Sequence, residues 1–230
     1  GRKSLNDIEL QYLKDVKGKS VLHLQCHFGQ DTISLNRLGA NRAVGVDLSD
    51  KAIEKARDLA KTCHSTAEFI CCNIYDLPEN LDEQFDIVFT SYGTIGWLPD
   101  IDLWAELVAK FLKPGGKFVL AEFHPVVWMF DDDLKKVKYR YFNSDAIVDE
   151  EGTYTDGAEK LSTKNISWNH GLAEVISALL KKGLSLKDIQ EFDYSPYNCF
   201  AHTIEIEKGK FRIKHLEDKI PMVYSLLMEK

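Results

Sequence analysis

The chain has 230 residues, of which 44% are hydrophobic and 28% charged, and its formal net charge is −7. This length and composition suit a single domain spanning residues 1–230 with one good-sized core, and they exclude a disordered or fibrous chain. The negative charge argues against nucleic acid or anionic lipid as a partner, and no apolar run is long enough to cross a membrane. We therefore expect a soluble, cytoplasmic protein with a small or neutral partner.

The predicted elements alternate between strands and helices from residue 19 onward. Short apolar runs predict strands, and apolar positions at helical spacing predict the helices between them. Pro114, Gly115 and Gly116 are expected to separate a helix from the strand that follows. The predicted strands are 21–24, 43–47, 67–72, 85–91, 117–123, 185–194 and 221–228, and the predicted helices are 31–38, 50–63, 101–112 and 172–180. This order predicts an α/β fold, a doubly wound, Rossmann-like and mostly parallel sheet of seven strands with an antiparallel last strand.

Residues 126–169 break this alternation. An acidic cluster and a basic, aromatic run are followed by turn signals at residues 151–152 and 156–157 and by a candidate strand at residues 162–168. We interpret the segment as a β-rich inserted flap over the active-site cleft. Trp128, Tyr139 and Tyr141 are expected either to wall a pocket beneath this flap or to pack the flap itself.

The cysteines favour a reducing compartment. There are five of them, an odd number, and no two have the Cys-x-x-Cys spacing of a structural zinc site. We therefore predict no metal site.

The turn after the first predicted strand carries the main functional signal. Residues 25–32 contain one glycine, Gly29, whereas a dinucleotide-binding turn uses three glycines to let the backbone approach a pyrophosphate. Asp47 ends the second strand, where a carboxylate can accept hydrogen bonds from both hydroxyls of a ribose. These features predict a nucleoside site without a strong phosphate site, and S-adenosylmethionine is a ligand of this kind.

Residues 21–29 resemble the first motif of the class I S-adenosylmethionine-dependent methyltransferases, in which an acidic residue precedes three alternate glycines. His23 stands in the acidic place, Gln25 and His27 in the first two glycine places and Gly29 in the third. The run is similar to a small-molecule branch with a His-x-Gln-Cys-x-x-Gly-Gln-Asp turn, which adds Cys26, Gln30 and Asp31 to the candidate cofactor contacts. This resemblance covers about residues 18–123.

The resemblance implies S-adenosylmethionine as the cofactor and S-adenosylhomocysteine as its product. It further implies that Asp47 binds the ribose, that Leu48 lies beside it, that Asn73 and the Ile74 amide contact adenine, and that Ser91 and Tyr92 lie by the methionine part.

Several of these residues also have a structural alternative. Asp47 and Asn73 can cap a helix or a turn, His23 and His27 can be buried imidazoles, and Cys26 can be an apolar filler.

Three residues are candidates for a role in catalysis. His124 follows the fifth strand and has the ordinary pKa of a general base, about 6.5, although it can equally order the turn before Pro125. His170 is either a lid residue facing the acceptor or an exposed helix terminus, and Tyr92 ends the fourth strand.

The leading hypothesis is methyl transfer to a small-molecule acceptor by a monomer or homodimer. The turn 91–94 reads Ser-Tyr-Gly-Thr. It lacks both the Asp/Asn-Pro-Pro-aromatic turn of enzymes that methylate nucleic acid bases and the paired glutamates of protein arginine methylation. Two alternatives stay open: a nicotinamide-dependent oxidoreductase, and a catalytically silent nucleoside-binding protein whose own side chains fill the acceptor pocket.

Overall fold

The computed structural model describes residues 4–143, 145–149 and 165–230. The helices are α1 (Asp7–Leu13), α2 (Gln30–Arg37), α3 (Asp50–Thr62), α4 (Leu77–Asn80), α5 (Ile101–Phe111) and α6 (Leu172–Lys181). The strands of the main sheet are β1 (Ser20–Leu24), β2 (Arg42–Asp47), β3 (Glu68–Cys71), β4 (Phe85–Ser91), β5 (Leu112–Phe123), β8 (Ser185–Phe192) and β11 (Val223–Glu229). Two short pairs complete the set: β6 (Ile147–Asp149) with β7 (Asn165–Ser167), and β9 (Thr203–Glu207) with β10 (Lys210–Ile213).

The main sheet has seven strands in the order β3-β2-β1-β4-β5-β11-β8. The strands from β3 to β5 pair in parallel, and β11 runs antiparallel to both β5 and β8. The predicted seven-stranded, doubly wound sheet with an antiparallel last strand is therefore confirmed. The strand order reverses between β1 and β4, and in open α/β sheets the crevice at that reversal holds the ligand.

Apolar side chains of successive strand residues enter cores on opposite faces of the sheet. Leu22 and Val88 belong to the core under α5 and α6, whereas their neighbours Val21 and Ile87 belong to a core on the other face with Leu13 of α1. Burial on both faces explains why these strands are continuous apolar runs. Among the described residues, no helix is both long and apolar enough to cross a membrane.

Helix starts near the sheet follow from local chemistry. The Ser49 hydroxyl accepts a hydrogen bond from Ala52 N at 3.2 Å and caps α3, and the Asp100 carboxylate accepts one from Leu103 N at 2.8 Å and caps α5. The predicted break at residues 114–116 is wrong, since these residues lie inside β5. Gly115 N and Gly116 O bond the backbone of Lys230, so pairing with the end of β11 keeps this segment in the sheet.

Two elements that border the site were not predicted. Helix α1 was missed, although Asn6 and Glu9 have the spacing of a capping box and Asn6 N donates to Glu9 Oε1 at 2.6 Å. The β9–β10 hairpin was also missed, because its apolar and polar residues alternate over only a few positions.

The described part of residues 126–169 is tied to loops at the carboxyl ends of β4 and β5. Trp168 N donates to Gly96 O at 2.8 Å, and Asn169 Nδ2 donates to Pro125 O at 3.2 Å. The candidate strand at 162–168 is described from residue 165 and forms β7, while both predicted turns lie outside the described residues. The cover that this segment was expected to form over the cleft stays a prediction.

Candidate functional site

A cavity of about 1630 Å³ lies at the carboxyl ends of the first four strands. The loop after each strand contributes to its wall, and the connection between β8 and β11 closes one side through Tyr197 and Phe211. The predicted cofactor residues that line the cavity are His23, Gln25, Cys26, His27, Gln30, Asp31, Asp47, Leu48, Asn73, Ile74, Ser91 and Tyr92. The fold therefore brings into one cavity residues that are far apart in the chain.

The turn after β1 adopts the backbone conformation that a glycine-rich turn would adopt. Gln25, His27 and Gly29 have φ values of 55°, 49° and 68°, all in the left-handed region. Residues other than glycine are strained there by roughly 1–3 kcal/mol each, and such strain persists mainly at functional sites. Gly29 does not line the cavity. A Cβ at this position would lie 2.4 Å from the Phe69 ring, so the third glycine is required by packing of the turn against β3.

The Gln25 side chain presents an unpaired acceptor beside this turn. Its Nε2 donates to Thr94 O at 2.9 Å, which fixes the carboxamide. Its Oε1 is buried and has no hydrogen-bond partner. An unsatisfied buried oxygen costs about 1–3 kcal/mol, so this lining residue is suited to accept a hydrogen bond from a ligand.

Asp47 joins the first two turns. Its Oδ2 accepts from His27 N at 2.8 Å, and its Oδ1 accepts from Ser49 N at 2.9 Å. Asp47 therefore has the turn-forming role that its structural alternative stated. Each carboxylate oxygen keeps a further lone pair for a ligand, so the structural and the ligand-binding interpretations of this lining residue are compatible.

His23 is a buried imidazole, as its structural alternative stated, and it also touches the cavity. Its Nδ1 lies 2.9 Å from Thr32 Oγ1, its Nε2 lies 3.5 Å from Ser91 Oγ, and its ring stacks on Phe89. Burial lowers the pKa of His23 to about 4, and the nearby carboxylates of Asp31 and Asp47 offset this only in part. The ring is therefore neutral at pH 7.

A carboxylate nevertheless stands beside this histidine. Ser91 Oγ donates to Asp31 Oδ2 at 3.4 Å, and Asp31 lies in the first turn of α2. The negative charge expected from the strand position is thus supplied from the following helix.

Asn73, Ile74 and Leu48 line the cavity together. Asn73 Oδ1 accepts from Tyr75 N at 3.1 Å and closes a short turn, which is the structural role weighed for it. Leu48 is 70% exposed and Ile74 belongs to the core. Apolar side chains flanking a polar one suit the faces and the edge of a purine.

Tyr92 lines the cavity and contacts a residue that sequence reasoning missed. Its hydroxyl donates to Glu9 Oε2 at 2.7 Å, and Glu9 is fully buried in α1. Burial raises the pKa of Glu9 to about 7, while hydrogen bonds from Asn6 and Tyr92 oppose that rise. The same burial, with Glu9 close by, raises the pKa of Tyr92 well above its ordinary value.

Glu122, also missed, shapes the loop that carries Tyr92. Its buried carboxylate accepts from the backbone amides of Gly93, Thr94, Ile95 and Phe123. The available signal was a carboxylate inside the apolar run of β5, since such a group is buried only with partners.

The structure does not bring the other two catalytic candidates to the cavity. His124 Nε2 lies 2.8 Å from Glu191 Oε1, and its Nδ1 accepts from Val126 N at 3.2 Å, which matches the turn-ordering alternative. His170 is buried between Glu174 and Leu98 O rather than at an exposed terminus. The ring nitrogens of both residues bond other protein groups and neither histidine lines the cavity, although Leu98, whose carbonyl bonds His170 Nε2, does line it.

Comparisons with known proteins agree with this geometry. Residues 21–116 match the family described as a methyltransferase domain. The chain is 34% identical over 105 residues to a ribosomal protein L11 methyltransferase of Neisseria gonorrhoeae, covering 45% of this chain and 32% of that protein. It is 31% identical over 117 residues to a ubiquinone biosynthesis O-methyltransferase of Neisseria meningitidis, covering 49% of this chain and 48% of that protein. The chain thus spans less than half the length of both relatives.

The fold also matches a solved structure over nearly its whole length. An S-adenosylmethionine-dependent methyltransferase from Mesorhizobium loti superposes with a TM-score of 0.67 at 18% identity and covers 98% of this chain and 99% of that one. At that identity the likeness concerns the fold. The sheet order, the cavity at its reversal and the matched domain agree: residues 21–116 are similar to a methyltransferase domain, and the chain has the fold of this S-adenosylmethionine-dependent methyltransferase.

Proposed function

We propose that the chain binds S-adenosylmethionine in the cavity at the ends of β1 to β4 and transfers its methyl group to a small-molecule acceptor. The observation that carries the proposal is the Gln25–Asp47 arrangement. A buried, unpaired amide oxygen and a carboxylate fixed by His27 N and Ser49 N line one cavity. Amino and ribose hydroxyl groups are the donors that such oxygens accept from.

The residues present suit each part of this cofactor. Asp47 would hold the ribose hydroxyls, and Leu48, Asn73 and Ile74 would enclose the adenine. Gln25 Oε1 and the Asp31 carboxylate would receive the amino group, which answers how this group is held when a neutral His23 replaces the usual acidic residue.

The cofactor supplies a methyl carbon already activated for displacement by its sulfonium. The protein has to align that carbon with the acceptor and exclude water. Tyr92, which is also a predicted cofactor contact, forms an aromatic wall of the cavity with Phe123 and Tyr197 for this purpose. The charge of Asp31 and Asp47 also favours a cationic ligand over a pyrophosphate.

The size of the cavity favours an enzyme over a silent nucleoside-binding protein. Its volume of about 1630 Å³ exceeds the roughly 300–1,000 Å³ typical of a pocket for one small ligand, which leaves room for an acceptor. The nicotinamide alternative is not favoured, because the first turn carries the Gln25 and His27 side chains where a pyrophosphate needs bare backbone.

Calorimetry tests the cofactor part of the proposal. S-adenosylmethionine should bind saturably to the wild type, and Asp47→Ala should weaken it at least 10-fold while far-UV circular dichroism shows an unchanged fold. Asp50→Ala is the matched control, since this nearby carboxylate in α3 does not line the cavity. Equal affinity in Asp47→Ala and the wild type would refute the assigned ribose contact.

The acceptor requires a separate experiment, because the name of one relative contains a ribosomal protein and that of another contains ubiquinone biosynthesis. Labelled methyl donor should be incubated with a metabolite extract and, separately, with purified ribosomal proteins. We expect label in compounds that pass a 3-kDa filter. Label confined to protein would contradict the small-molecule assignment and leave the cofactor assignment intact.

A further inference from the structure

A buried acid contacts a tyrosine that lines the cavity. Tyr92 lines the cavity, whereas Glu9 does not. The Tyr92 hydroxyl donates its hydrogen to Glu9 Oε2 at 2.7 Å. A phenolic oxygen that donates in one direction keeps its lone pairs for another, so Tyr92 Oη can accept a hydrogen bond from a ligand.

The two oxygens of Glu9 have separate tasks. Oε1 accepts from Asn6 N at 2.6 Å and from Asn6 Nδ2 at 3.1 Å, which completes the cap of α1. Oε2 accepts from Tyr92 alone among the described contacts. The cap is satisfied by Oε1 and does not account for the second bond, which links Glu9 to a residue that lines the cavity.

We propose that Tyr92 and Glu9 form a proton-accepting pair for the methyl acceptor, so that the acceptor presents a nitrogen- or oxygen-bound hydrogen to Tyr92 Oη. The inference rests on the proposed methyl transfer. The acceptor's hydrogen moves as a proton to Tyr92 Oη, and the Tyr92 proton moves to Glu9 Oε2. The freed electron pair of the acceptor bonds the methyl carbon, and the carbon–sulfur bond breaks with its electron pair left on sulfur.

The surroundings of Glu9 suit this task. The groups that face it are Asn6 at the N-cap of α1, the amide of Glu9 itself, Tyr92 from the loop after β4 and the Asp31 carboxylate from α2. Burial raises the pKa of Glu9 to about 7, so the group can gain and release a proton near neutral pH. The pKa of Tyr92 lies far above that, so its phenolate does not accumulate and the proton has to pass on to Glu9.

Two cofactor analogues test the pair without knowledge of the acceptor. One is S-adenosylhomocysteine. The other is an analogue in which a carbon bearing a primary amine replaces the sulfonium and its methyl group. Its ammonium group occupies the position of the transferred methyl. We expect the wild type to bind the amine analogue more tightly than S-adenosylhomocysteine, because the ammonium donates to Tyr92 Oη and lies near the Glu9 carboxylate. Calorimetry between pH 6 and 8.5 gives the ratio of the two affinities.

The variants separate the pair from general effects on the fold. Tyr92→Phe should lower this ratio about 10-fold or more, the usual loss for a hydrogen bond to a charged group. In the wild type the ratio should decline below pH 7, where the Glu9 carboxylate gains a proton. Glu9→Gln should lower the ratio and abolish this decline, because the Gln amide donates to Tyr92 and cannot titrate. Tyr12→Phe is the matched control, since the Tyr12 hydroxyl on the same helix donates to Asp188 at 2.7 Å, outside this cavity.

Each result decides between the two proposals. If S-adenosylhomocysteine binds and the ratio is the same in Tyr92→Phe as in the wild type, the pair does not face the reacting position and the inference is overturned. If neither analogue binds, the proposed function fails first. A methylated product whose reacting atom carried no hydrogen, such as a tertiary amine, would also overturn the inference and would leave methyl transfer intact.

Discussion

Replacing Glu9 by Gln should change how the stability of the protein depends on pH. Glu9 is fully buried, and its pKa in the folded chain is about 7 against an ordinary value of 4.5. An acid whose pKa is raised on folding stabilises the fold fully below the unfolded value, and this contribution is lost as the pH rises through the folded value. The lost contribution between pH 4.5 and 7 amounts to roughly 3 kcal/mol.

The pH dependence of the unfolding free energy of the wild type alone would conceal the loss of the Glu9 contribution, because His23 acts in the opposite direction. Its pKa is lowered to about 4 from 6.5 by burial. A base of this kind stabilises the fold above its unfolded value, and the contribution disappears as the pH falls through about 4. Between pH 4.5 and 6.5 the two slopes offset each other, so only the difference between the variant and the wild type reports Glu9.

The measurement is urea unfolding of wild type and Glu9→Gln at several pH values from 4.5 to 8. The free energy of unfolding of the variant should rise relative to that of the wild type by about 3 kcal/mol across this range. Glu54→Gln, at an exposed carboxylate of α3, is the control and should run parallel to the wild type. A difference between Glu9→Gln and wild type that stays constant within 1 kcal/mol across the range would refute the assignment of a buried, titrating acid.

Other changes should have simpler effects on unfolding in urea at pH 7. Gly29→Ala should cost roughly 2–4 kcal/mol, because the new methyl meets Phe69 and Ala56 at a left-handed φ, and a loss below 1 kcal/mol would contradict the required packing. Glu122→Gln should cost roughly 2–4 kcal/mol, because an amide nitrogen then faces backbone donors, so a neutral effect would show that the loop has other support. Ser49→Ala should cost about 1 kcal/mol by removing the cap of α3, and an unchanged midpoint would show that the cap is replaced.

The parts of the fold that the sequence predicts well are those with repeated local signals. Strand β4 begins and ends where its apolar run does, and α3 begins after Ser49 as its cap predicts. The predicted cofactor residues that line the cavity also follow from local order, because the loops after parallel strands meet at one sheet edge. For these elements, position along the chain fixes position in space.

The parts that the sequence did not reveal depend on contacts between distant residues. Glu9 and Tyr92 are 83 positions apart, and only the docking of α1 against the sheet brings them together. His124 was placed correctly after β5, yet its side chain turns to Glu191 of β8, a strand that joins the sheet much later in the chain. Side-chain direction at a strand end is therefore set by the neighbouring strand, which periodicity does not identify.

The last prediction concerns Asp31. It follows from the position of His23, which stands where the motif that residues 21–29 resemble has an acidic residue. A neutral imidazole cannot attract the ammonium group of S-adenosylmethionine, whereas the Asp31 carboxylate lies in the same cavity, 3.4 Å from Ser91 Oγ. Asp31→Asn should therefore weaken S-adenosylmethionine about 10- to 100-fold. It should leave adenosine, which has no amino-acid part, within a factor of about three.

Asp47→Asn is the matched comparison, because it should weaken both ligands through their common ribose. Calorimetric titration of the two ligands against the two variants gives the four affinities. Equal losses for S-adenosylmethionine and adenosine in Asp31→Asn would show that the carboxylate supports the cavity as a whole. The ammonium group would then depend on Gln25 Oε1, the buried acceptor left unpaired beside the same turn.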